Sequence, residues 1–332
     1  MKINETDNSY CPLIFNGLYL RRHSGNKKQV APCCLADKSK NFIEVENLLE
    51  HPHLQEIRSY ARTNKRHPAC HACWEVESLG SESNRLLLVD RYKIENKAFP
   101  TDVNLKHLDY NTLPICNAKC IICSWEYSSL WAAEKGKKVI TGVEYKEQHL
   151  DVLDLDNVET VYFNGGEPLL TNEHLNVLKK LKHLDQVELT YNTNGSCFPN
   201  NETLEIWNRA KSVTLYFSID AVEENFETIR TPLKWDQVSE NIKRMNAMSN
   251  INLGCSYTVG RHNIFDIEPT INWFSTLENF DVSSQFHVHM VSYGNPLSFD
   301  NVLPEEVDPF LLELEKFKDY YWYNQIKNAV IQ

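Results

Sequence analysis

Cys116, Cys120 and Cys123 stand as C-x3-C-x2-C, three thiols within one short segment. Three thiolates at this spacing can wrap three irons of a cubane and leave the fourth iron without a protein ligand, whereas a closed zinc site needs four ligands. An open iron is a reactive iron. Spacing alone leaves a second reading, a zinc loop completed by a remote His or Cys, because soft thiolates suit both metals. Further polar segments follow the triad: Asn164-Gly165-Gly166-Glu167-Pro168, then Thr193-Asn194-Gly195, then Ser218-Ile219-Asp220 with Arg230 beyond. Glycines let a backbone approach a ligand closely, and a carboxylate offers acceptors. On an extended strand Ser218 and Asp220 share a face.

These segments need elements to hold them. From about residue 105 short apolar or β-branched runs alternate with helical patterns, the rhythm of a parallel sheet. Strands are predicted at 105–113, 158–163, 186–191, 212–219, 251–259 and 285–291, and helices at 172–184, 202–210, 235–248 and 265–277. Six strands with right-handed crossovers imply a partial (β/α)6 barrel, with its site at the C-terminal ends of the strands. Each polar segment falls at such an end.

Residues 1–80 read as a separate small module, with a strand around 13–21, a turn at Ser24-Gly25-Asn26, and a helix carrying Leu54, Ile57 and Ala61 on one face. Residues 81–104 are expected to bridge to the barrel at 105–295. The stretch 296–332 is expected to be a helical extension, with Asp308 as cap, Pro309 at the first position, and Leu311, Leu314 and Phe317 on one face.

The chain has 332 residues and a formal net charge of -11, so no basic field exists to attract a nucleic-acid backbone. No long apolar run and no secretory pattern at the start are seen, and a cytoplasmic protein with no membrane segment is expected. Ten cysteines in such a chain point to metal binding or catalysis rather than to disulfides. Cys255 shares strand phase with Leu253 and Tyr257 and reads as a buried structural thiol. Cys197 follows the Asn194-Gly195 turn and reads as a bystander. His51 and His53 read as helix-entry residues.

The triad loop after the first barrel strand, with Gly165-Gly166-Glu167 after the second, resembles the radical S-adenosylmethionine (SAM) superfamily over residues 105 to about 295. The resemblance implies a catalytic 4Fe-4S cluster on Cys116, Cys120 and Cys123, and SAM chelated to its open iron. It implies SAM contacts from Ile122, Gly165, Gly166, Glu167, Asn194, Ser218, Asp220 and Arg230. Ile122 departs from the family, which usually has an aromatic there to pack on adenine. Reductive cleavage of SAM would then give a 5'-deoxyadenosyl radical that takes a hydrogen atom from a substrate, with electrons from a donor such as flavodoxin or ferredoxin.

Cys11, Gly25, Cys33-Cys34 and Cys70-His71-Ala72-Cys73 resemble a SPASM/twitch module, set here before the barrel rather than after it. Cys73-Trp74-Glu75 with Gly80, Ser83 and Arg85 is similar to the twitch-domain subgroup. Cys11, Cys33, Cys70 and Cys73 make four thiolates, enough for an auxiliary iron-sulfur cluster of the 4Fe-4S type. The rival is zinc on Cys70 and Cys73 with His67, His71 and Cys33. Adjacent Cys33 and Cys34 cannot both point inward along an extended chain, and Cys33 is favoured. Such modules imply an oxidoreductase or isomerase acting on a peptide or protein by epimerisation, crosslinking or oxidation. A small-molecule enzyme acting on a sugar, nucleotide or amino acid is the alternative. A non-catalytic zinc protein is a third reading, against which the intact triad and Gly165-Gly166-Glu167 argue.

Overall fold

The computed structural model describes residues 9–22, 28–39, 47–78, 82–91, 103–138, 153–291 and 294–331. The expected turn at 24–26, Gly80, and most of the bridge between 92 and 102 lie outside these residues. One sheet of eight strands organises the described chain, in the order β2-β1-β3-β4-β5-β6-β7-β8. The strands are β1 (Gly17–Arg22), β2 (Lys28–Ala31), β3 (His107–Asn111), β4 (Thr160–Asn164), β5 (Glu188–Thr193), β6 (Ser212–Ser218), β7 (Ile251–Val259) and β8 (Phe286–Met290). The six strands predicted between 105 and 291 are all present, parallel and in sequence order.

The N-terminal strands join the sheet of the barrel. β1 pairs parallel with β3, Leu18 opposite Leu108, and β2 adds antiparallel at the edge. The module therefore shares backbone hydrogen bonds with the barrel sheet. The strand expected at 13–21 is also divided. Pro12 occupies the first turn of a short helix, Pro12–Asn16, behind Cys11 in extended conformation, and β1 begins only at Gly17. Proline fixes the backbone angle a first turn needs and lacks only an N–H that would have no partner there. A Cβ at Gly17 would lie 2.4 Å from Pro32 O, so the chain can switch from helix to strand here only without a side chain.

The two faces of the sheet follow from period-two alternation. One row, Leu108, Val161, Leu189 and Val213, and the next, Tyr110, Phe163, Tyr191, Leu215 and Leu253, are buried beneath the crossover helices. Parallel strands read as apolar on the face that helices cover. The other face is polar: Asp109 opposite Tyr162, Asn111 opposite Asn164, Asn192 opposite Tyr216, and Ser218 opposite Ser256. Crossover helices sit where the 3.6-residue period places them. In Trp235–Asn246 the buried positions Trp235, Val238, Ile242 and Met245 form one stripe. Asn200 caps Asn201–Trp207 by accepting from Thr203 N at 2.8 Å.

The C-terminal helix starts earlier than the sequence suggested, at Pro304, so Pro309 lies inside it. Pro304 takes the first-turn position and Glu306 Oε2 accepts from Leu303 N at 2.8 Å, which closes the helix start. Leu314 and Phe317 are buried as expected, whereas Leu311 is only half-buried and Phe310 is the residue buried in its place. Among the described residues no helix is long and apolar enough to cross a membrane.

Candidate active site

The loop from the end of β3 to the helix Ser129–Glu134 carries the three triad cysteines and is tied at many points. Ser129 Oγ accepts from Cys116 N at 3.1 Å and donates to Cys116 O at 3.0 Å. Ser128 Oγ donates to Ala118 O at 2.6 Å, and Trp131 Nε1 to Cys120 O at 2.9 Å. On the far side Lys119 N and Ile121 N donate to Thr231 O and Ile229 O. A loop held by this many backbone bonds presents its side chains in a fixed arrangement.

Cys116, Cys120 and Cys123 face one cavity of about 270 Å³ at the C-terminal ends of β4, β5 and β6. Its walls also include Ile122, Gly165, Gly166, Asn194, Ser218 and Arg230, so the structure gathers eleven candidate residues less two. Glu167 and Asp220 are the exceptions, both fully buried behind the wall. Burial pushes the Cys116 thiol up to about 12 and the Cys123 thiol up to about 11, and it raises Cys120 as well. The thiols are therefore protonated in the metal-free chain, and metal loading releases protons.

Glu167 spends its carboxylate inside the protein. Oε1 accepts from Thr193 Oγ1 at 2.8 Å and Leu169 N at 3.0 Å, and Oε2 accepts from Asn194 N at 2.7 Å. Burial raises its pKa, while these donors oppose the rise. It fastens the loop after β4 to the loop after β5. Asp220 acts similarly: Oδ2 pairs with Arg230 Nη2 at 2.5 Å and Oδ1 accepts from Thr258 N at 2.8 Å. Arg230 Nη1 then lies 3.5 Å from Cys120 Sγ, and its Nε is buried without a partner. A guanidinium so placed offers positive charge to an anionic group in the cavity.

Gly165 and Gly166 are required by the protein itself. A Cβ at Gly166 would stand 2.4 Å from Ile115 O, and Gly165 has φ +121° with its Cβ position 2.6 Å from Thr112 O. The β4 loop can thus lie against the triad loop only because both residues lack a side chain. Gly166→Ala should cost about 1–3 kcal/mol of stability through this overlap and lower iron retention, as read by urea unfolding and an iron count.

The aromatic missing at Ile122 has a neighbour the sequence could not place. Tyr127 lines the cavity, and Arg21 of β1 lies 4.4 Å above its ring and donates to its hydroxyl at 3.2 Å. Trp125 is exposed. Cys255 is fully buried on the helix-facing side, as strand phase predicts. Cys197 is half-buried beside Ser196.

A second pocket lies in the N-terminal part, walled by Cys11, Cys33, Cys70 and Cys73 with Trp74 and Arg85. Burial raises the Cys33 thiol to about 11 and the Cys70 thiol to about 12, and the neighbouring thiols push in the same direction. Cys11, raised further still, faces Cys33, Cys70 and Cys73. Cys34 is not among the residues that wall it. His67 and His71 are engaged elsewhere: His67 Nδ1 accepts from Ala69 N at 3.1 Å and its Nε2 faces Glu56, while His71 faces Asp37. Arg85 Nη1 reaches Tyr10 O at 2.8 Å and pairs with Glu77, so the helix Asn84–Arg91 closes over this pocket. Among the described residues no three His, Cys, Asp or Glu form a ready site for one metal ion.

The parallel α/β sheet and the cysteine loop at its C-terminal edge define a partial-barrel enzyme with a thiol-lined cavity. Residues 110–274 match the model of the Radical SAM superfamily, and this domain of the chain belongs to that superfamily. A curated relative, the probable GTP 3',8-cyclase of Sulfurisphaera tokodaii, is 23% identical over 233 residues, 66% of this chain and 70% of that protein. Among solved structures, native anSMEcpe with bound AdoMet is similar at 16% identity and TM-score 0.45, over 68% of this chain and 62% of that one. Streptococcus suis SuiB bound to precursor peptide SuiA is similar at 14% identity and TM-score 0.42, over 90% of this chain and 68% of that one. The chain thus spans less than two thirds of the anSMEcpe chain. The superfamily implies a 4Fe-4S cluster and SAM.

Proposed function

We propose that this radical SAM enzyme abstracts a hydrogen atom from a peptide or protein substrate. The observation that carries the radical chemistry is the convergence of Cys116, Cys120 and Cys123 on one cavity with Arg230 and Ser218. When bound, the cluster supplies one electron that cleaves SAM to a 5'-deoxyadenosyl radical. The chain's own residues bind and orient. Cys116, Cys120 and Cys123 would hold three irons, and Arg230 would attract the SAM carboxylate. Ser218 and Asn194 would offer polar contacts, and Ile122 with Tyr127 would cover the adenine. Glu167 and Asp220 are positioning residues, the first for the Asn194 loop and the second for Arg230. Flavodoxin or ferredoxin fits as the electron donor, and the cytoplasm as the compartment.

The peptide substrate is supported by the second pocket. Four thiols, Cys11, Cys33, Cys70 and Cys73, wall it, which suits an auxiliary four-iron cluster of the kind peptide-modifying members carry. With His67 and His71 held elsewhere, the mixed His/Cys zinc site loses support. Chain reconstituted without oxygen should bind about seven to eight irons, from two four-iron sites. An outcome near four irons plus one zinc would remove the auxiliary cluster and keep the triad.

A nucleotide substrate is the second reading, favoured by the similarity to a probable GTP 3',8-cyclase. Anaerobic incubation with SAM, dithionite and either GTP or short peptides encoded beside the gene separates the two. Mass change in a peptide with GTP untouched is the expected result, and GTP consumption would reverse the substrate assignment.

A further inference from the structure

We propose that the open end of the polar sheet face, on β6, β7 and β8, is the substrate subsite and that it takes an uncharged aromatic side chain of a peptide. This rests on the peptide reading given above. Ser218 of β6 walls the triad cavity, Ser256 of β7 stands opposite it, and His287 of β8 stands opposite Ser256. In the next row towards the C-terminal ends of the strands, Thr258 stands opposite His289. The first row therefore runs from the cavity wall to the edge strand, two strand spacings or about 10 Å away. At its β1 and β3 end the same face is filled, with Tyr19 and Asp109 buried. At its β7 and β8 end it is open, with Ser256, Thr258 and His287 half-buried and His289 exposed. Surrounding protein still lowers the pKa of His289 by desolvation, as it does that of His287, so both rings are neutral at pH 7. An imidazole that is open to water and yet desolvated stands in a recess rather than on a convex surface.

Rings build this recess. Gly254 stands opposite Tyr216, and a Cβ there would lie 2.5 Å from two carbons of the Tyr216 ring. Without that Cβ the ring takes the space over β7 and reaches His287 on β8, edge to face with centres 5.2 Å apart. Tyr321 is 61% exposed, and its hydroxyl lies 3.5 Å from His287 Nδ1. Three neighbouring rings, one of them uncovered, offer a further aromatic ring edge-to-face and stacked contacts. Ser256, Thr258 and His289 can hydrogen-bond a polar tip on that ring. Charge is disfavoured, because the ions near this face are already spent: Arg230 pairs with Asp220 at 2.5 Å, and Arg21 is held over Tyr127. A charge taken out of water without a partner is costly. A nucleoside triphosphate, with its several negative charges, finds no set of cations on this face among the described residues.

N-acetyltyrosinamide serves as the probe, with the reconstituted full chain and SAM, and the readout is diethyl pyrocarbonate labelling of histidines mapped by peptide. His289 should react in the absence of probe, and saturating probe should halve its labelled fraction while exposed His71, in the N-terminal part, stays unchanged. N-acetylaspartamide, N-acetylargininamide and tripolyphosphate should leave His289 labelling as it was. Protection by tripolyphosphate or by either charged amide, no protection by the tyrosine probe, or an unreactive His289 would overturn the proposal. Tyr216→Ala should lose the protection and Tyr216→Phe keep it, and protection retained in a folded Tyr216→Ala variant would also overturn it. Where that variant does not fold, the probe series on the parent chain decides. A peptide product changed at a residue that is not aromatic would strike this inference and leave the peptide reading standing, whereas GTP turnover would strike that reading itself.

Discussion

Replacing Cys116, Cys120 and Cys123 together by Ala should remove all 5'-deoxyadenosine formation from SAM under dithionite, and the iron count should fall by about four per chain. The three thiols face one cavity, and the loop that carries them is fixed by Ser128, Ser129 and Trp131 rather than by metal. The variant should therefore remain folded and keep whatever metal the second pocket holds. Circular dichroism and a metal count on the same sample check this. Persistent 5'-deoxyadenosine in folded, iron-depleted variant would sink the assignment of the catalytic cluster.

The triad and the strand order were legible in the sequence because both are local. A C-x3-C-x2-C spacing needs no partner to be recognised, and apolar runs of period two mark strands wherever they pair. What the sequence hid was long-range. Glu167 reads as a free acceptor at the end of a strand, yet its three donors come from Leu169, Thr193 and Asn194. No spacing rule announces that two of them lie on the next strand's loop. The same holds for Gly165 and Gly166, whose crowding neighbours are Thr112, Leu113 and Ile115, some fifty residues earlier. Likewise β1 was visible as an extended run, but its pairing with β3 joins residues separated by the whole N-terminal part. Pro309 mimics a helix start, and only the bond from Leu303 N to Glu306 shows that Pro304 is the real one. Alternation along an extended chain was the reason for choosing Cys33 over Cys34, but the two lie in a turn, where that argument does not apply; Cys33 is the one that lines the second pocket.

The outcome for the second pocket decides whether those cysteines serve turnover or only folding. If Cys11, Cys33, Cys70 and Cys73 hold a cluster that accepts an electron from the substrate or returns one to it, then Cys70→Ala with Cys73→Ala should keep part of the SAM cleavage and abolish product. The groups walling the triad cavity, Gly165, Gly166, Asn194, Ser218 and Arg230, all lie in the barrel. A purely structural metal predicts otherwise, because losing a metal that holds a small domain together removes folding free energy directly. The N-terminal part has other supports: β1 is bonded to β3, and buried Arg58 donates to Ile14 O at 3.0 Å. Those supports favour a soluble double variant. Loss of β1 packing would also disturb the cavity, since Arg21 holds Tyr127, so a structural role should lower 5'-deoxyadenosine and product together. Measuring both in soluble, iron-counted protein separates the two cases, and full product formation by the double variant would dismiss any part for the second pocket in turnover.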